Sequence, residues 1–181
     1  MIYTYVMENT PVGSLTLQAD TRGLCRVDFG QRATVAANAS GHPVLDQAVN
    51  ELEAYFRGER TTFDIPLAPV GTAFQGKVWD ALQAIPYGEV RSYADIAKAI
   101  GSPQASRAVG MANNRNPISI IIPCHRVVGT NGSLTGYGGG LETKIRLLEL
   151  EQVPLKQADT LERYRVMPAS NTPSDTRPRR R

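Results

Sequence analysis

A cysteine and a histidine stand side by side at Cys124-His125, behind Ile120-Ile121-Ile122-Pro123 and ahead of Arg126-Val127-Val128. A thiol attacks as the thiolate, and free cysteine ionises only near about pH 8.5. A neighbouring base or positive charge lowers that cost. The isoleucine run has strand length and β-branched composition, so it predicts a buried strand. Pro123 cannot continue a central ladder, and the strand should end there, holding one sulfur at its tip. Neighbours on an extended strand point to opposite faces. Contact between imidazole and sulfur therefore needs a turn after Pro123 or a bridging water. For a bare Cys-His pair the alternative is a structural cysteine, since free cysteine is among the most buried residue types.

Other chemistry-bearing residues surround this pair in sequence. Leu141–Glu151 predicts a helix with Leu141, Ile145, Leu147 and Leu148 facing in. A carboxylate at a helix C-terminus is electrostatically disfavoured, so Glu151 should have a partner. The glycine-rich Thr135–Gly140 segment lets backbone approach a ligand closely, or is a plain loop or a weak phosphate cradle; it fits no Walker A pattern. Asn131-Gly132 after Val127-Val128 predicts a hairpin. Thr72-Ala73-Phe74-Gln75 is a capping box, followed by a helix stacking Phe74, Val78, Leu82 and Ile85. Ser92–Ile100 predicts a short helix stopped by Gly101, and Ser102-Pro103 should cap another reaching Ala112 or Asn113. Such a pair is a helix-turn-helix or an ordinary αα-hairpin.

The first part of the chain reads as a small α/β unit. Ile2–Met7, Ser14–Ala19 and Leu24–Phe29 are strand candidates, and Thr61–Ile65 is a weaker one. Gln31–His42 reads as a loop or weak helix. Pro43 opens a helix carrying Val44, Ala48, Leu52, Tyr55 and Phe56 on one face, which Gly58 ends. Pro66–Gly71 reads as a linker. The organisation expected is residues 1–66, a 67–71 linker, residues 72–153, and an extension over 154–181 whose Ala169–Arg181 end is flexible.

Hydrophobic content is 41% of 181 residues, ordinary for a globular chain. Two cysteines, Cys25 and Cys124, make no disulfide framework, and a working thiol implies a reducing compartment. No signal pattern or bilayer-length apolar run occurs, so a cytoplasmic protein with no membrane association is expected. Cys25 and His42 are too few for a closed zinc site, so neither metal nor cofactor is expected. The net charge of +3 is unevenly spread: residues 1–71 are −3 and residues 72–151 are +2. Affinity for a polyanion should therefore be modest and local.

Three segments together carry a resemblance: Ile85–Tyr93 (IPYGEVRSY), Ser106–Pro117 (SRAVGMANNRNP), and Ile122–Val128 (IPCHRVV) with Thr135–Leu141 (TGYGGGL). In this order and spacing the chain closely resembles the O6-alkylguanine-DNA alkyltransferases, the methylated-DNA–protein-cysteine methyltransferase family. The resemblance covers residues 72–151 without a gap and is a matter of pattern in the first half. It implies an α+β fold, with a ribonuclease H-like N-terminal domain and a helix-turn-helix, winged-helix-like second domain. It implies a single-use repair reaction on double-stranded DNA containing O6-alkylguanine, with O4-alkylthymine left open, by a monomer whose cooperative assembly on DNA is also left open. Cys124 would accept the alkyl group, His125 would take its proton through a water, and Glu151 would orient His125. Asn116 would tie the helix pair to the active turn. The Tyr137 hydroxyl and Gly138 amide would donate to guanine N3 and O6, and many relatives have serine where this chain has Gly138. The carbonyls of Cys124 and Val127 would take the exocyclic amine, with Lys144 nearby. The second helix would enter the minor groove on its small residues Ala105, Ser106, Ala108, Gly110 and Ala112. Arg107 would fill the gap left by the rotated nucleotide while Tyr93 crowds its phosphate. Two rivals remain: a lesion binder without transfer, which Cys124 argues against, and a multiple-turnover Cys-His hydrolase, which leaves Tyr93 and Arg107 unexplained.

Overall fold

The computed structural model describes residues 1–31 and 41–168. The expected loop at Gln31–His42 and tail at Ala169–Arg181 fall mostly or wholly outside them. Three strands, β1 (Tyr3–Thr10), β2 (Gly13–Asp20) and β3 (Gly23–Phe29), form an antiparallel meander in that order. Leu15, Leu17 and Ala19 alternate onto the face covered by helix α1 (Pro43–Phe56). Pro43 begins α1, and Gly58, with φ +74°, ends it. There the amides of Gly58 and Glu59 bond the carbonyls of Tyr55 and Ala54, a Schellman closure that only a left-handed residue allows.

The second half adds α2 (Ala73–Gln83), β4 (Arg91–Ser92), α3 (Tyr93–Ala99), α4 (Ser106–Asn114), β5 (Val127–Val128) and α5 (Leu141–Leu150). Thr72 and Gln75 form the expected capping box, and Ser92 with Asp95 forms a second one on α3. β4 and β5 pair in parallel, Arg91 with Val127 and Ser92 with Val128. A last hairpin, β6 (Leu155–Lys156) with β7 (Arg165–Val166), packs Leu155, Tyr164 and Val166 against a small cluster around α5.

Four expectations need correction. The run Ile120–Ile122 is not a strand. Only Ile118 bridges another strand, and the chain then turns at Ile120, whose φ is +72°. The Ile121 amide closes this three-residue turn on the Ser119 carbonyl at 2.9 Å. Such a turn is strained for a β-branched residue. Its backbone groups need no ladder because the Asn116 side chain serves them: Nδ2 donates to the Ile122 carbonyl at 2.7 Å, and Oδ1 accepts from the Ile118 amide at 2.9 Å. Second, α4 starts at Ser106 rather than Ser102. Residues 102–105 form a turn closed by the Ala105 amide on the Ser102 carbonyl, which leaves Ala105 as the N-cap. Third, Val127-Val128 does not enter a hairpin. Gly129–Ser133 turns as expected, but β5 is already paired with β4, and Ser133 bridges Arg165. Fourth, Thr61–Ile65 adds no strand, whereas Leu67, in the expected linker, bridges Leu24 in parallel.

β3 is therefore covered twice along one edge. Leu24 exchanges bonds with Pro66 and Ala68, both 2.8 Å, and Val27 with Pro117 at 2.9 Å and Ser119 at 3.3 Å. An uncovered edge invites pairing with other chains. Here it anchors both the connection between the two halves and the segment leading to Cys124.

Gly23 makes the first anchor sterically possible. Its φ is +154°, and an added Cβ would lie 2.4 Å from the Pro66 oxygen. Gly23→Ala should lower stability by at least about 1 kcal/mol in urea unfolding. Gly76→Ala, in open space inside α2, should raise it by roughly 0.5–1 kcal/mol.

Candidate active site

Cys124 follows an inverse γ-turn at Pro123, with φ −82° and ψ 65°, closed by the Cys124 amide on the Ile122 carbonyl at 2.8 Å. Cys124–Arg126 then form one 3₁₀ turn, which takes Cys124 and His125 out of the extended alternation that would face them apart. The sulfur is buried. Burial pushes the Cys124 thiol up, while the Asn116 and Tyr137 side chains facing it, and the Lys144 charge, favour the thiolate. The resting group is a protonated thiol that needs a base.

His125 is fully buried, and burial pushes its pKa down despite Glu151. It is neutral near pH 7. Nε2 meets Glu151 Oε1 at 2.9 Å, and because a carboxylate only accepts, Nε2 carries the hydrogen. Nδ1 keeps its lone pair and has no hydrogen-bond partner among the described residues. That lone pair is the available base.

Glu151 is the C-cap of α5 and almost wholly buried. Burial alone would raise its pKa, but His125 and Arg126 outweigh this and hold it at about 2. Arg126 grips it twice, Nε to Oε2 at 2.9 Å and Nη2 to Oε1 at 2.7 Å, while Nη1 donates to the Ile85 carbonyl at 2.7 Å. The Tyr55 hydroxyl donates to Oε1 at 2.8 Å. The sequence reading missed Arg126 and Tyr55. Arg126 had a signal, because an arginine in a buried stretch requires a carboxylate. Tyr55 appeared only as one apolar position on its helix.

Lys144 is buried, and its Nζ donates to the Val127 carbonyl at 2.7 Å. Burial lowers its pKa to about 8. The Val127 oxygen thus keeps one lone pair for any incoming donor. The Cys124 carbonyl accepts from the Val127 amide and lies 3.5 Å from Asn113 Nδ2. Asn113, buried at the end of α4, was also missed.

The glycine-rich segment brings Tyr137 over the site. Its hydroxyl is buried with no nitrogen or oxygen partner among the described residues, and its ring meets Phe29 of β3 edge-on at 5.6 Å. Gly139 is required there, since a Cβ would lie 2.8 Å from the Phe29 ring. Gly138 is exposed, and a Cβ there would touch nothing within 4 Å, so a serine side chain fits. A crevice of about 610 Å³ opens beside Gly138, Asn116, Asn114, Arg115, Arg26 and Asp28. The Tyr93 hydroxyl bonds Thr135 Oγ1 at 2.5 Å, and its ring lies against Gly110. On α4, Arg107 and Ala108 are exposed, and Ala105, Ser106 and Gly110 are half-buried. Tyr93 is half-buried and close enough to Cys124 to feel its charge, whereas Ala112, expected among the small groove-facing residues, is buried.

The low Glu151 pKa has a stability consequence. Its folded value lies below the 4.5 of an unperturbed glutamate, so its contribution is present above about pH 4.5 and is lost as pH falls toward about 2. Glu151→Gln should cost about 3–5 kcal/mol at pH 7 by leaving Arg126 buried without its charge partner. Urea midpoints of variant and wild type should converge between pH 4.5 and pH 2; a gap independent of pH would remove the carboxylate charge from the account.

Comparison with known proteins agrees with this geometry. Residues 1–69 match the family described as 6-O-methylguanine DNA methyltransferase, ribonuclease-like domain, and residues 73–153 match its DNA binding domain. A methylated-DNA–protein-cysteine methyltransferase of Mycobacterium leprae is 61% identical over 84% of this chain and 93% of its own. One from Methanosarcina acetivorans is 52% identical over 81% of this chain and 97% of its own. The crystal structure of Mycobacterium tuberculosis OGT in complex with DNA superposes with a TM-score of 0.75 at 46% identity, covering 83% of this chain and 93% of that one. With both domains matched and relatives of 52% and 61% identity aligned over 97% and 93% of their own length, the chain belongs to the 6-O-methylguanine DNA methyltransferase family.

Proposed function

We propose that this protein is a methylated-DNA–protein-cysteine methyltransferase that repairs DNA by moving the alkyl group of O6-alkylguanine onto Cys124. The observation that carries the reading is the buried thiol faced by Asn116, Tyr137 and Lys144, with the neutral His125 held by Glu151 behind it.

The His125 Nδ1 lone pair takes the thiol proton through a water. The thiolate attacks the alkyl carbon in line, the S–C bond forms and the C–O6 bond breaks, and its electron pair goes to the guanine. The Gly138 amide and Tyr137 hydroxyl donate to O6 and N3, where charge develops. A proton returns to the base, leaving guanine and neutral His125. The remaining lone pairs of the Cys124 and Val127 carbonyls accept the exocyclic amine, which adenine lacks at that position. The product thioether has no acidic proton and no leaving group that water displaces readily. The chain is therefore consumed, one alkyl group per copy, and no cofactor enters the balance.

The target O6 lies in the stack, so the nucleotide must rotate out at a cost of a few kcal/mol. α4 lies in the minor groove on Ala105, Ser106, Ala108 and Gly110, whose small side chains allow close approach. Arg107 fills the gap and recovers part of the stacking, and Tyr93 presses on the adjacent phosphate. The protein acts as a monomer in the cytoplasm, where a reducing environment keeps the thiol free.

Mixed with a duplex containing one O6-methylguanine, the protein should gain one methyl group, on the Cys124 peptide, saturating at one per chain by intact mass. Lesion binding without mass gain would instead make it a damage sensor. Cys124→Ala should take up no methyl and still bind the lesion by gel shift. Arg107→Ala should slow transfer from duplex by roughly tenfold, about 1.4 kcal/mol. Transfer from the free base should not change, and equal losses on both substrates would end the gap-filling role.

A further inference from the structure

Glu151 does not draw its hydrogen-bond donors from the DNA-binding domain alone. Tyr55 lies 96 residues earlier, on the buried face of α1, and its hydroxyl donates to Glu151 Oε1 at 2.8 Å. Its ring is fixed by Phe56, Phe63 and Tyr87, with centroids at 5.5, 5.4 and 6.2 Å. Burial and the Glu151 charge push its ionisation far above the working range, so it remains a donor. The same oxygen receives His125 Nε2 at 2.9 Å and Arg126 Nη2 at 2.7 Å. Tyr55 and His125 therefore share one acceptor atom.

We propose that Tyr55 is a positioning residue of the transfer reaction: from the N-terminal domain, its hydroxyl holds Glu151 Oε1 toward His125 and draws off part of the charge that His125 would otherwise feel. This inference rests on the reading of Cys124 as the alkyl acceptor. A carboxylate with fewer donors binds the imidazolium more strongly, and a protonated His125 has no lone pair for the thiol proton. The groups around this pair are Arg126, Lys144 of α5, Tyr87 from the loop after α2, Tyr137 from the glycine-rich segment, and Tyr55. Arg126 and Lys144 disfavour the imidazolium by charge, and Tyr55 does so by occupying Oε1. The Tyr87 hydroxyl bonds the Leu150 carbonyl at 3.0 Å and leaves the carboxylate alone.

The test is single-turnover methyl transfer from duplex O6-methylguanine, followed by intact mass from about pH 5.5 to 9 in the full chain. Tyr55→Phe keeps the ring and removes the donor. Its acid limb should move up by about half a unit, a loss that approaches roughly threefold toward the low-pH end of the limb with little change at pH 8.5. Tyr87→Phe should leave the limb in place. If Tyr55→Phe does not fold, 3-fluorotyrosine at position 55 alone, a stronger donor, should move the limb down. An unshifted limb, or a loss equal at every pH, overturns the Tyr55 role while wild-type methyl uptake keeps the parent reading intact. A wild type that takes up no methyl overturns both.

Discussion

One buried carboxylate organises this molecule. Taking an ion out of water costs several kcal/mol unless its charge and lone pairs are met. Glu151 is met by Arg126, His125 and Tyr55 together. Those donors come from the turn that holds the nucleophile and from α1 of the first domain, while Glu151 itself caps α5. Arg126 extends the network to the end of α2 through Ile85. The fold and the site are in this sense one network.

The same network decides what kind of base His125 is. A histidine facing a bare carboxylate would be pulled toward the imidazolium. Burial opposes that pull most strongly, with Arg126 and then Lys144 adding to it, so His125 rests neutral with Nδ1 unpartnered among the described residues. The thiol rests protonated for the same reason, since its surroundings are too dry to favour an early thiolate. Such restraint protects the sulfur, because a standing thiolate reacts with oxidants and stray electrophiles.

The Cys124 thiol is placed by strain more than by regular structure. Two three-residue turns in succession, at Ile120 and Pro123, reverse a buried apolar segment, and one asparagine meets its backbone groups. Strained backbone persists where its surroundings over-determine it. Here β3 of the first domain pins Pro117 and Ser119, and Phe29 at its end supports Tyr137. The N-terminal domain thus shapes the pocket from the edge of its sheet.

The sequence by itself determined the element types wherever a local rule operates. The meander strands, the capping box at Thr72, the Gly58 stop and the α5 helix follow from alternation, caps and glycine, which act within a few residues. Its motif also singled out Cys124, His125 and Glu151, of which His125 and Glu151 are hydrogen-bonded in the fold. Only the tertiary structure decided the rest. Ile120–Ile122 carries every local mark of a strand, yet the chain turns at Ile120, and Asn116 meets the backbone groups on either side of the turn. Val127-Val128 pairs in parallel with β4, a partner more than thirty residues earlier that no local turn signal announces. Tyr55 has no mark at all: its hydroxyl meets Glu151 because folding carries α1 onto the end of α5, and a contact across 96 residues leaves no trace in local spacing.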